Sequence, residues 1–284
     1  MRSARSPRRP VRLPEGLARR LVTAGALLAV FLAALLLLDR LAFAFLVAGI
    51  VALAGHEWGS LTGLGRRGAV IYGIGVGALC AALATADTAA SWSSHFYAAG
   101  ALFWLVLVPA WLLHGVARAS RVALAAAGWV VLALAGFAAA SLPASHLLLV
   151  LGLVWIADTA AYFAGNAFGR HRLAPGISPG KTWEGVAGAL GATLLYAIIC
   201  ALPGAPLDAY VQGAAAWALY LTAIVLLSGL SIVGDLFESA LKRQAGAKDS
   251  GVLLPGHGGI LDRIDSVMPT LPTAALLLDW ISRK

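Results

Sequence analysis

Charge is scarce in this chain. Only 12% of its 284 residues are Asp, Glu, Lys or Arg, where a soluble domain carries about a quarter. Hydrophobic residues make up 60% and the mean hydropathy is +0.85. A secreted domain, an ordinary cytosolic domain and a nucleic-acid binder are therefore excluded. Cysteine is nearly missing too. Cys80 and Cys200 each sit inside an apolar run, with neither zinc spacing nor a disulfide framework around them. Two familiar motifs fail on inspection. His56-Glu57 lacks the second histidine of a zinc protease, because position 60 is Ser60. Gly180-Lys-Thr182 lacks the first P-loop glycine, because position 175 is Pro175 and no strand precedes it. There is no internal repeat and no second soluble domain.

What the chain has is long apolar runs. Charge-free stretches at 21–38, 41–56, 69–86, 96–114, 122–140, 146–166, 185–202, 211–234 and 266–282 suit about nine spans of roughly 20 residues each. The expectation is an all-α, polytopic integral membrane protein. Segment 21–38 looks like the core of a signal peptide, but eight further runs follow, so it reads as an uncleaved first span. The run from Val122 to Ala157 is too long for one helix, and Ser141-Leu-Pro-Ala-Ser145 supplies its turn. Pro269, Pro272 and Asp279 in the last run predict a broken or tilted final span.

Basic residues set the orientation. With the N-terminus in the cytoplasm, 18 of the 21 basic residues fall inside, and only Arg40, Arg283 and Lys284 fall outside. The positive-inside rule selects that arrangement. Seven of the inside residues are arginines of an N-terminal arm: Arg2, Arg5, Arg8, Arg9, Arg12, Arg19 and Arg20. The arm reads as a topology signal that also touches anionic lipid head groups. Three regions follow: a basic cytoplasmic arm at 1–20, N-terminal transmembrane helices at 21–145, and a C-terminal catalytic transmembrane region at 146–284. The expected location is an integral membrane one, the cytoplasmic (inner) membrane if the source is bacterial. Its long polar connections, 167–184 and 235–265, then share the cytoplasmic face, where the active site is expected.

Carboxylates beside a bilayer are costly and mark function. Asp158 lies within the sixth run, with Tyr162 and Gly165 on the same helix face; pairing with a base for packing is the plainer reading. Asp235, Glu238, Ser239 and Lys242 recur at i, i+3, i+4 and i+7, one stripe on a continuation of the eighth span. A salt-bridge ladder would give the same stripe. The segment beyond it decides for chemistry. Lys248-Asp249 leads to Pro255-Gly-His-Gly-Gly259 and then Asp262-Arg-Ile-Asp265. Glycine N–H groups can cradle phosphate, and carboxylates beside a phosphate are what Mg²⁺ requires. His257 belongs to no zinc spacing; it bonds phosphate or orders the loop. In the other connection, Ser178 before Pro179 reads as a helix cap, with Lys181 in the first turn where anions are favoured.

These residues resemble the phosphatidate cytidylyltransferase family (CDP-diacylglycerol synthases). The family signature runs unbroken from Ser239 through Lys242-Arg243, Lys248-Asp249, Gly256-His-Gly-Gly259 and Asp262-Arg263 to Asp265. Asp158-Thr-Ala-Ala-Tyr-Phe-Ala-Gly165 and Ser178-Pro-Gly-Lys-Thr-Trp-Glu-Gly185 also look like the family's. The resemblance covers roughly 150–268; upstream, Glu57-Trp58 is a faint echo.

The resemblance implies transfer of CMP from CTP to phosphatidate within the membrane lipid, giving CDP-diacylglycerol and pyrophosphate. It implies Mg²⁺, with a second cation such as K⁺, and a homodimer. Asp235 and Asp262 are the expected metal ligands, with Asp265 beside them. Lys242, Arg243, Lys248, Lys181 and Arg263 would hold phosphates, helped by Ser178, Ser239 and the loop Gly256, His257, Gly258 and Gly259. Asp158, Tyr162, Glu184, Glu238 and Asp249 would support them. Three other readings stand beside this one. A CDP-alcohol phosphotransferase would need an Asp-Gly…Ala-Arg…Gly…Asp…Asp pattern that is absent. A polyprenol or dolichol kinase shares the use of a nucleotide. A transporter would spread ionisable groups across the midplane of several helices.

Overall fold

The computed structural model describes residues 17–86, 89–115, 119–251, 253 and 258–283. The arm up to residue 16, Arg118, Gly256, His257 and Lys284 lie outside the described residues. Helix α1 (Leu17–Leu37) is a unit by itself, and the chain from Asp39 onward is another.

Each charge-free run of the second unit forms a helix. The helices of this unit are α2 (Arg40–Leu61), α3 (Gly65–Thr85), α4 (Ala89–Leu102), α5 (Val108–His114), α6 (Arg121–Ser141), α7 (Ala144–Phe168), α8 (Trp183–Cys200), α9 (Gly213–Gln244), the short, charged α10 (Leu261–Ile264) and α11 (Val267–Ser282). A π-helical turn, Phe103–Leu107, joins α4 to α5 in one rod. Among the described residues seven helices are long and apolar enough to cross a membrane: α2, α3, the rod 91–114, α6, α7, α8 and α9. The protein is an all-α, multi-pass membrane protein. Two of the nine expected spans fall outside that set. In α1 the described apolar stretch is only Leu28–Leu37, and α11 is 16 residues long.

Lipid tails give apolar side chains no reason to prefer a neighbouring helix, so close packing falls to small residues. A Cβ on Gly55 of α2 would lie 3.0 Å from the Cα of Gly73 on α3. Trp58 of α2 donates its Nε1–H to Leu124 O on α6 at 2.9 Å and is wholly buried. α11 packs against α4, α6, α7 and α9. Its prolines do not break it. Pro269 falls in the first turn, where backbone N–H groups lack helical partners anyway, and Pro272 sits inside the helix against Gly100 of α4. Residues 267–275 are all buried, so packing holds the helix through Pro272.

The connection 167–184 differs from expectation. It is an antiparallel hairpin of β1 (Arg172–Ala174) and β2 (Ser178–Thr182), pairing Arg172 with Thr182 and Ala174 with Ser178. Ser178 is therefore a strand residue and caps nothing, and Lys181 is in the strand rather than in a helical turn. The cap is Thr182, whose Oγ1 accepts the Gly185 N–H at 3.1 Å. Thr182 offers the same acceptor as Ser178 four residues later, puts Glu184 in the first turn of α8, and leaves 178–182 free to make the ladder. β2 also packs on α9, which delivers Lys181 to that helix.

Candidate active site

α9 is a single helix of 32 residues, so the Asp235, Glu238, Ser239 and Lys242 stripe is real and continuous with the eighth span. Lys242 is its centre. The Nζ lies 2.5 Å from Glu238 Oε2 and 2.5 Å from Asp262 Oδ1. Glu238 is wholly buried, which only a matched charge makes tolerable.

Asp262 is held from two sides. Its Oδ1 faces Lys242, while Oδ2 accepts the backbone N–H of Ser250 at 3.0 Å and of Gly259 at 2.8 Å. Gly258 turns the chain into this arrangement at φ +78°, a conformation that favours glycine. Burial alone would raise the Asp262 carboxyl. The Lys242 hydrogen bond and the Gly259 and Ser250 N–H groups outweigh it and hold the group down at about 2.

Two turns back along α9 from Lys242, Asp235 Oδ2 lies 2.6 Å from Lys181 Nζ, and Ser239 Oγ donates to Asp235 Oδ1 at 3.3 Å. Asp265 follows α10 and packs its backbone against α9. A Cβ on Gly234 would strike Asp265 O and come within 2.8 Å of the Pro269 ring. The Asp265 carboxyl accepts the Ser266 N–H at 2.7 Å. It is pushed up to about 8, first by burial and then by the negative charges of Asp235 and Asp158. Asp158, on α7, accepts the Ser266 hydroxyl at 3.3 Å.

Not every expected residue joins this group. Glu184 is spent on the hairpin, accepting from His171 N and lying 2.7 Å from His171 Nδ1. Tyr162 is exposed and makes an edge contact with Phe163. Arg243 donates to Ala247 O at 3.2 Å and is exposed, as are Lys248, Asp249 and Arg263. Ser178 pairs with Ala174. Gly256 and His257 are outside the described residues.

One participant stands out in the sequence only as the faint echo Glu57-Trp58. Glu57 of α2 is 2% exposed, yet it reaches the loop before α10, accepting from Ile260 N at 3.0 Å, Leu261 N at 2.8 Å and Ser250 Oγ at 2.9 Å. The available signal was a lone carboxylate at the end of an apolar run, costly unless it serves a purpose.

Five carboxylates (Asp158, Asp235, Glu238, Asp262 and Asp265) thus gather about two lysines, Lys181 and Lys242, and Ser250 joins Glu57 to Asp262. The donors are hard oxygens, the ligand type that divalent cations take. Among the described residues, no three His, Cys, Asp or Glu side chains stand in a ready-made metal-holding group.

The chain is similar to named enzymes. A phosphatidate cytidylyltransferase of Pseudomonas aeruginosa is 38% identical over 92% of this chain and 97% of its own. The enzyme of that name from Haemophilus influenzae is 46% identical over 44% of this chain and 43% of its own, and the one from Brucella suis 43% over 53% and 56%. The model of the cytidylyltransferase family matches residues 18–281, and the chain belongs to that family.

Proposed function

We propose that this protein is a phosphatidate cytidylyltransferase. It joins the phosphate of phosphatidate to the α-phosphorus of CTP, giving CDP-diacylglycerol and releasing pyrophosphate. The observation that carries this is the joining of Lys242 to Asp262 and Lys181 to Asp235 at one end of α9, in a chain that aligns with a named enzyme over nearly its full length.

The chemistry suits these residues. The attacking group is a phosphate oxygen already ionised at neutral pH, so the protein need not supply a general base. Its task is to bring anions together and hold them in line. Lys181 and Lys242 have short carboxylate partners to exchange for phosphate oxygens, and Arg243, Lys248 and Arg263 extend the basic surface. The Gly258 N–H, with Gly256 and His257 before it, would cradle one phosphate, while the Gly259 N–H stays on Asp262. Asp235, Asp262 and Asp265 would hold Mg²⁺, with a second cation such as K⁺ beside Asp158. When bound, the metal neutralises the triphosphate and the departing pyrophosphate.

The same reading puts the protein in the cytoplasmic membrane with nine spans, its N-terminus and this site inside. Arginine distribution supports the orientation; the homodimer rests on the family resemblance.

The test is incubation of detergent-purified protein with Mg²⁺, phosphatidate and CTP carrying an α-phosphate label. Labelled lipid that requires phosphatidate supports the reading, and its absence from a folded preparation contradicts it.

A further inference from the structure

Glu57 lies about 200 residues before its partners and belongs to no part of the signature. A buried carboxylate in a membrane helix normally faces a base. Glu57 instead spends both oxygens on one short segment. Oε1 accepts the Ile260 N–H; Oε2 accepts the Leu261 N–H and lies 2.9 Å from Ser250 Oγ. The segment is shaped around it, since a Cβ on either Gly251 or Gly259 would collide with this carboxylate. Its own position is fixed by the next residue, because Trp58 is wholly buried and tied to α6.

Ser250 links Glu57 to the site. Its Oγ lies 2.9 Å from Glu57 Oε2 and 2.9 Å from Asp262 Oδ2. A hydroxyl has a single hydrogen, so it satisfies one of these carboxylates at a time. The hydroxyl can therefore pass to Glu57 when Asp262 takes another partner.

We infer that Glu57 is a positioning residue for Asp262: through Ser250 and the backbone of 259–261 it fixes where the Asp262 carboxylate stands beside Lys242, and so governs turnover rather than substrate binding. The kinetic part rests on the cytidylyltransferase reading above.

The test compares Glu57→Gln, Ser250→Ala and the double variant with the native protein in detergent. Gln has the right size but accepts at one end only, and it turns an NH₂ toward a backbone donor. Glu57→Gln lowers kcat about 10- to 100-fold, the range for residues that hold a catalytic ligand in place, with KM for CTP and phosphatidate little changed. Ser250→Ala shifts kcat in the same direction. The double variant is no worse than the poorer single one, because both act through one link.

Amide exchange gives a second readout that needs no activity. The Gly259 N–H is bonded to Asp262, not to Glu57. If Glu57 positions Asp262, the Gly259 amide exchanges faster in Glu57→Gln together with those of Ile260 and Leu261. If Glu57 only pins the loop, Gly259 stays slow and the inference falls. It also falls if folded Glu57→Gln keeps native kcat. Should Glu57→Gln fail to fold, Ser250→Ala decides, since it leaves both backbone bonds to Glu57 intact; native kcat there overturns the inference. A native protein that labels no lipid, with Gly259 still responding to Glu57→Gln, would sink the functional reading and keep the positioning role.

Discussion

Lys242 and Asp262 are twenty residues apart in sequence and 2.5 Å apart in space, which makes the end of α9 and the start of α10 one unit. Asp262→Asn keeps the shape and the backbone N–H partners but removes the charge. It should abolish most turnover while the protein stays folded and monodisperse in detergent. Near-native activity would remove Asp262 from the reaction.

Lys242 also neutralises Glu238, whose side chain is fully buried. Lys242→Ala leaves that carboxylate without its partner, a loss of about 3–5 kcal/mol for a buried pair. Lys242→Ala should therefore unfold at lower temperature, and Lys242→Ala with Glu238→Gln should regain stability without regaining activity. Thermal unfolding and label transfer on the same samples separate the two effects.

Lys181 meets Asp235 at 2.6 Å and would trade it for a phosphate. A charged hydrogen bond contributes roughly 1.5–3 kcal/mol, so Lys181→Ala should lower kcat/KM for CTP about 10- to 100-fold. An unchanged CTP dependence would place Lys181 outside the nucleotide site.

At Gly234, α9 comes close to the turn carrying Asp265. Gly234→Ala must push these elements apart, at a cost of about 1–3 kcal/mol for overpacking. Both the unfolding temperature and the activity should fall; a neutral Gly234→Ala would contradict the packing.

Acidity offers a check on Asp265. Its carboxyl is raised from 3.8 to about 8 by burial and by Asp235 and Asp158. Between those values the folded protein keeps a proton that the unfolded chain has lost, so without divalent cation stability falls as pH rises from about 4 toward 8. Asp265→Asn should flatten that slope. Asp262 has the opposite sign. Held at about 2 against an ordinary 3.8, its contribution is complete above about pH 4 and lost as pH drops through 2.

The sequence made the helices legible because charges interrupt the apolar runs at nearly every helix end. It made the α9 stripe legible because a helix repeats every 3.6 residues whatever surrounds it. The hairpin was misread for a local reason: Ser178-Pro179 and Thr182-Trp183 both look like helix starts, and only the ladder with β1 chooses between them. Glu57 reads as no more than a faint echo for a distant reason. Its partners lie in the connection between α9 and α10 and at the first residue of α10, and no local pattern records a contact across some 200 residues. The pairing of Lys242 with Asp262 was likewise invisible, although both residues had been singled out.

The most direct measurement places the CTP label at two positions in parallel reactions with phosphatidate and Mg²⁺. Cytidylyl transfer puts α-phosphate label in the lipid and γ-phosphate label in pyrophosphate, and Asp262→Asn loses both. γ-Label in the lipid with none from the α-position would mean phosphoryl transfer, and would contradict the account.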